Sequence, residues 1–153
     1  FFQFDERDFG RRRTLEEITG KPESVGFPNA QKYVRTKDFF RTAPVMAESQ
    51  AILSELNKRY EIFIVSAAVE FPGSLIEKYE WLHEYFPFIT WLQIVFCGSK
   101  TIVEADIMID DHFKNLDPFK GQTILFSQPH NLLQRSSKHK RVESWQEIAD
   151  LLL

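Results

Sequence analysis

Three short stretches carry residues whose types could do chemistry. In YEIFIVSAA an apolar run gives way to Ser66, Ala67 and Ala68; in QIVFCGSK another ends just before Lys100; in DIMIDDH a third ends in Asp110 and Asp111. A hydroxyl beside small residues leaves backbone N–H groups open to a phosphate oxygen. A lysine past a buried strand can aim its ammonium at a phosphate as a point charge. Two adjacent carboxylates repel each other and are poor strand residues, so an apolar run that stops at them calls for a reason. One reason is Mg²⁺, a hard cation that prefers oxygen ligands and keeps several waters. Each feature also has a plainer reading: Ser66 as a strand-to-loop residue, Lys100 as a solvated surface lysine, the Asp pair as a turn. Together, hydroxyl, ammonium and paired carboxylates are the parts of metal-assisted phosphoryl chemistry.

These residues need elements to hold them. Ala47 to Lys58 has Ala51, Ile52 and Leu56 at helical spacing, and Ser74 to Glu77 reads as a capping box. That box opens a helix with Leu75, Tyr79, Leu82 and Phe86 on one face, stopped by Pro87. Strands are predicted at YEIFIV, Gln93–Cys97, Asp106–Ile109 and Gln122–Phe126, and Ser144 caps a last helix. Continuously apolar strands alternating with helices predict a Rossmann-like parallel α/β sheet covered by helices on both faces. In such sheets the functional residues gather beyond the carboxyl ends of the strands. The region 1–43 is expected to be a mainly helical cap, with a capping box at Thr14 and a second cap at Asn29, and 44–153 the α/β core.

Bulk properties narrow the function. A chain of 153 residues with 43% hydrophobic and 27% charged content suits one soluble domain with a real core. A net charge of −3 gives no footprint for a nucleic acid polymer. The single Cys97 fits a reducing, cytoplasmic compartment and reads as a buried strand residue rather than a nucleophile. No run nears the roughly 20 apolar residues a membrane span needs, and FFQFDERDFGRRR lacks the apolar core of a signal peptide. Phe-rich 1–40 reads as the core of a small cap, Lys138 to Arg141 as an exposed loop, His112 as a neighbour of the acidic pair, and His130–Asn131 as a turn.

The order of motifs, Ser66, Lys100, then Asp110–Asp111, disfavours a response-regulator receiver domain, where the acids come first. It resembles the haloacid dehalogenase-like hydrolases. Within them, EKYEWLHEYFPFI (77–89), IVFCGSKTIVEADIMIDDHFKNL (94–116), ILFSQPHN (124–131) and the stretch 35–41 resemble the 5′(3′)-deoxyribonucleotidase family, the C-type deoxy 5′-nucleotidases. The resemblance implies a Mg²⁺-dependent phosphatase acting on (deoxy)nucleoside monophosphates. It gives Ser66 and Ala67 to the substrate phosphate, Lys100 to phosphate neutralisation and catalysis, and Asp110 with Asp111 to the metal. It also matches Lys78 to a family lysine near the phosphate, against the plainer reading of a surface lysine paired with Glu77 or Glu80. Aromatic residues of the cap would stack on the base, and a homodimer is allowed.

One departure stands out. The family opens with an apolar strand ending in Asp-x-Asp, whose first Asp is the nucleophile, and no Asp-x-Asp occurs in these 153 residues. Asp5 and Asp8 lie in a polar stretch that resembles the region after that motif. The expectation is a nucleophile in a segment preceding Phe1, next to the strands ending at Ser66 and Asp110, which would otherwise present open edges. The alternatives are an inactive nucleotide- or phosphate-binding module, or a pseudoenzyme acting through protein contacts.

Overall fold

A computed structural model describes residues 34–153, so the expected helices at Thr14 and Asn29, the Arg11–Arg13 run and most of the cap region lie outside the described residues. The described residues group into two compact units, 34–102 with Ser144–Leu153, and Val103–Glu143.

The first unit is built around a parallel strand pair. Helix α1 (Ser49–Leu56) buries Ile52, Leu53 and Leu56. Strand β1 (Ile64–Ser66) pairs in parallel with β2 (Ile94–Phe96), Ile64 opposite Ile94 and Ser66 opposite Phe96. Parallel neighbours need a crossover, and helix α2 (Ser74–Tyr85) supplies it. Leu53, Leu82, Phe86 and Ile89 form the core, with Trp81, Ile64, Ile94 and Trp145 packed on it. The last helix, α4 (Trp145–Leu152), packs on α1, and its C-terminus is tied down by the Tyr60 hydroxyl donating to the Leu152 carbonyl at 2.8 Å. Its start is capped as expected: the Ser144 hydroxyl accepts from the Glu147 N–H at 3.2 Å.

Two expectations for α2 are corrected. Ser74 does not cap the helix; Gly73 occupies the cap position without a side-chain bond, and the Ser74 hydroxyl donates to the Ala68 carbonyl at 3.2 Å. Glu77, the other half of the expected box, accepts instead from the N–H groups of Asp38 (2.7 Å) and Phe40 (3.0 Å). Ser74 bonds back into the preceding loop, six residues away, and Glu77 meets amides 37 and 39 residues away, partners that the capping pattern does not reveal. Tyr79 is exposed, and the buried face runs through Ser74, Leu82 and Phe86.

The second unit is a three-stranded parallel sheet in the order β3 (Ile107–Asp110), β4 (Gln122–Phe126), β5 (Lys140–Val142). The short helix α3 (Phe113–Leu116) follows β3 and packs against β3 and β4. Met108, Leu116, Phe119 and Leu125 make its core. Strand β5 falls where an exposed basic loop was expected. Val142 and His139 are buried there, and His139 bridges the Thr123 hydroxyl (2.8 Å) and the Asp117 carboxylate (2.9 Å). Among the described residues the fold is therefore α/β with every strand pair parallel, as the apolar runs implied. Among the described residues β1 and β3, which lead to Ser66 and Asp110, each have a ladder partner on one side only.

Candidate active site

In the first unit the end of β1 is pinned before it turns. The Ser66 carbonyl accepts from the Cys97 N–H at 3.0 Å, which locks the two strand ends in register. Cys97 is buried in this role. Past Ala67 the chain enters a single 3₁₀ turn, Ala68–Glu70, with Ala68 fully buried and bonded to Ser74. The loop after β1 is thus fastened to the first residue of α2, and one turn further along sits Lys78.

Lys78 Nζ donates to the Ser66 hydroxyl at 3.2 Å and stands 4.2 Å above the centre of the Phe40 ring. It does not pair with Glu77, which is occupied by the Asp38 and Phe40 amides; those bonds hold the Glu77 carboxyl below its usual range. Burial lowers the Lys78 pKa below the ordinary lysine value, and the positive charge of Lys100 lowers it further, against an opposing pull from Glu70. Lys100 opens a 3₁₀ turn, Lys100–Ile102, after β2. Ser66, Lys78 and Lys100, named separately from the sequence, are therefore brought together: one hydroxyl and two ammonium groups that feel each other's charge.

In the second unit the two aspartates have different surroundings. Asp110 ends β3 with its side chain buried, and its Oδ1 accepts from the His112 N–H (2.8 Å) and the Asn115 side-chain amide (3.0 Å). Asp111 is half-exposed; its backbone carbonyl accepts from Asn131 Nδ2 (2.8 Å) and lies 3.1 Å from His130 Nε2. Asp111 lies just past the end of β3, so one carboxylate is held by the strand end and its neighbour is half-exposed in the turn that follows. Two carboxylates at one strand end form an all-oxygen donor set, which fits Mg²⁺.

Sequence reasoning missed the scaffold behind Asp111. Asn131 is fully buried. Its amide donates to the carbonyls of Asp111 and Phe126, both at 2.8 Å, and its oxygen accepts from the Gln128 N–H (3.1 Å) and Arg141 Nη1 (3.0 Å). Arg141 also donates to the Ser127 hydroxyl (3.1 Å) and to the Gln134 carbonyl (2.6 Å). The turn at Asn131 is as expected, but its bond back to Asp111 is not. Its signal, the SQPHN stretch directly after the apolar QTILF, is present in the sequence without pointing to a partner 20 residues away.

A parallel α/β protein with a hydroxyl–ammonium group at one strand end and a carboxylate pair at another is the class defined here. Comparison with known families gives the particular one. The family model described as 5′ nucleotidase, deoxy (pyrimidine), cytosolic type C protein matches residues 1–153, and the chain belongs to that family. A 5′(3′)-deoxyribonucleotidase of Bacillus subtilis (strain 168) is 47% identical over 116 residues, 76% of this chain and 66% of that protein. A 5′(3′)-deoxyribonucleotidase of Bacillus phage SPbeta matches with the same identity and coverage. A Staphylococcus epidermidis relative is 38% identical over 140 residues, 88% of this chain and 76% of its own. The chain thus spans just under two thirds of the Bacillus relatives it matches.

Proposed function

We propose that this chain carries the phosphate- and metal-binding parts of a Mg²⁺-dependent phosphatase of (deoxy)ribonucleoside monophosphates, working in the cytoplasm. The observation that carries the reading is the grouping of Ser66, Lys78 and Lys100. Burial and the positive charge of Lys100 both disfavour the charged form of Lys78, so the two ammonium groups repel each other. A phosphate monoester dianion relieves that repulsion.

The Ser66 hydroxyl, the amide of Ala67 and the Lys78 ammonium bind the phosphate oxygens of the substrate, and Lys100 neutralises them through the transition state. Asp110 and Asp111 are the residues that would hold Mg²⁺, which when bound supplies Lewis-acid stabilisation of the phosphoryl group. Asn131 fixes the backbone of Asp111 so that its carboxylate meets the cation without rearrangement. The nucleophile is an aspartate supplied by residues preceding Phe1. Support for that placement comes from the absence of Asp-x-Asp in these 153 residues and from the greater length of the Bacillus relatives. Its carboxylate attacks phosphorus as the P–O bond to the nucleoside breaks, and the second Asp of that motif gives the departing oxygen its proton and then takes one from the water that hydrolyses the aspartyl phosphate.

The test is phosphate release from dUMP and dTMP with Mg²⁺, by the protein carrying its N-terminal segment. Turnover is expected, and Asp110→Asn abolishes it; unchanged turnover in that variant refutes the metal assignment. The same assay separates the alternative of a non-catalytic nucleotide-binding module. That alternative predicts nucleotide-induced thermal stabilisation without turnover even in the extended protein.

A further inference from the structure

We propose that Asp111, His112 and His130 form a second cation site, one for a borderline transition metal such as Zn²⁺ or Co²⁺ rather than for Mg²⁺. One donor atom from each of the three side chains lies within 4.8 Å of the other two. The Asp111 Oδ2 to His130 Nε2 separation is 3.6 Å. Two ligands at ordinary Zn–N and Zn–O distances on a tetrahedral ion stand about 3.4 Å apart, so this pair already spans one edge of such a site. His112 stacks on His130, with ring centres 4.4 Å apart and planes 22° from parallel. His112 is exposed, so its ring can rotate until its nitrogen converges with the other two donors.

Recruiting His130 leaves no backbone group stranded. Its Nε2 lies 3.1 Å from the Asp111 carbonyl, but that carbonyl also accepts from Asn131 at 2.8 Å and keeps this bond. In the tautomer with the proton on Nδ1, His130 Nε2 presents its lone pair to the ion. Two imidazoles and one carboxylate, with water completing the shell, suit Zn²⁺ and Co²⁺; Mg²⁺ prefers oxygen alone. The proposal rests on the magnesium reading only in sharing Asp111. Its consequence is competition: a transition metal seated on Asp111 takes that carboxylate from Mg²⁺ and inhibits turnover.

Titration of the full chain with Co²⁺, in the absence of substrate and Mg²⁺, tests the site directly. The visible absorption of protein-bound Co²⁺ is expected to appear with one-to-one stoichiometry and to be displaced by Zn²⁺. His112→Ala, at an exposed position, is expected to weaken Co²⁺ binding tenfold or more with unchanged circular dichroism, and His130→Ala to do the same. Asp110→Asn, the substitution that tests the magnesium reading, leaves Co²⁺ binding in place. Absence of a Co²⁺ signal, full affinity in both histidine variants, or loss of the signal in Asp110→Asn alone would each overturn the proposal. None of these readouts depends on phosphatase activity, so the two assignments fail separately.

Discussion

Lys78 Nζ donates to the hydroxyl of Ser66 across 3.2 Å, joining the second turn of α2 to the end of β1. The contact depends on two fastenings at longer range. Ser74 ties the start of α2 to the loop after β1, and Glu77 binds the amides of Asp38 and Phe40, which places the Phe40 ring beneath the ammonium. A cation over an aromatic face is stabilised without being neutralised, so Lys78 keeps its charge available for an anion.

Removing that charge should weaken phosphate binding more than it slows the chemical step. In the extended, active protein Lys78→Met is expected to raise KM for dUMP about tenfold to a hundredfold, the range for a lost charge-assisted hydrogen bond, with a smaller change in kcat. Inorganic phosphate should lose inhibitory strength in parallel. A fall in kcat with KM unchanged would show that Lys78 does not hold the ground-state phosphate.

The depressed pKa of Lys78 also has a signature in stability. Its folded value lies below the ordinary 10.5, so between the two values the unfolded chain binds more protons than the folded one. Stability contributed at this residue therefore rises with pH across that window and is flat well below it. Lys78→Met should abolish this part of the slope. Chemical denaturation from neutral pH upward measures it, and an unchanged slope in the variant contradicts the shift.

How much of this was legible in the sequence depended on the range of the interaction. The β4 span Gln122–Phe126 and the Ser144 cap were read correctly because an apolar run and a cap are local patterns. The strand ends were legible too, since Ser66 and Asp110 stand where apolar runs stop. Strand β5 was not: Lys140 and Arg141 look like solvated charges until β4 is beside them and Arg141 meets Asn131. The Ser74–Glu77 box failed because Ser74 bonds the Ala68 carbonyl in the loop before the helix and Glu77 binds amides remote in sequence.

Asn131 offers a prediction about positioning. Asn131→Ala leaves the Asp111 and Phe126 carbonyls and the Gln128 amide without this partner, each such loss costing about 1–3 kcal/mol where burial is complete. A lowered melting temperature would follow from any structural role. The specific expectation is that the Mg²⁺ concentration needed for half-maximal turnover rises in the active protein, because the Asp111 carboxylate is no longer held. Asn131→Asp keeps the acceptor for Arg141 but loses the donor, and should share the raised Mg²⁺ requirement. A normal requirement in both variants contradicts the positioning role.

Gly121 sets the register that delivers Asp110. A Cβ built there would stand 2.4 Å from the Asp106 carbonyl oxygen and 2.7 Å from that of Ala105, both backbone atoms that cannot swing aside. The next residue, Gln122, donates its N–H to that same Asp106 oxygen at 2.7 Å, so the clash falls on the first bond between the two strands. From there the pairing runs to Asp110 opposite Leu125. Gly121→Ala is therefore expected to destabilise the chain by about 1–3 kcal/mol through overpacking, outweighing the gain an alanine normally brings by restricting the unfolded chain. For a chain of this size that is a fall in melting temperature of roughly 3–10 °C. Gly73→Ala is the control: nothing lies within 4 Å of its would-be Cβ, and its melting temperature should hold or rise. If the two variants melt alike, close approach at Gly121 is not what fixes the β3–β4 register.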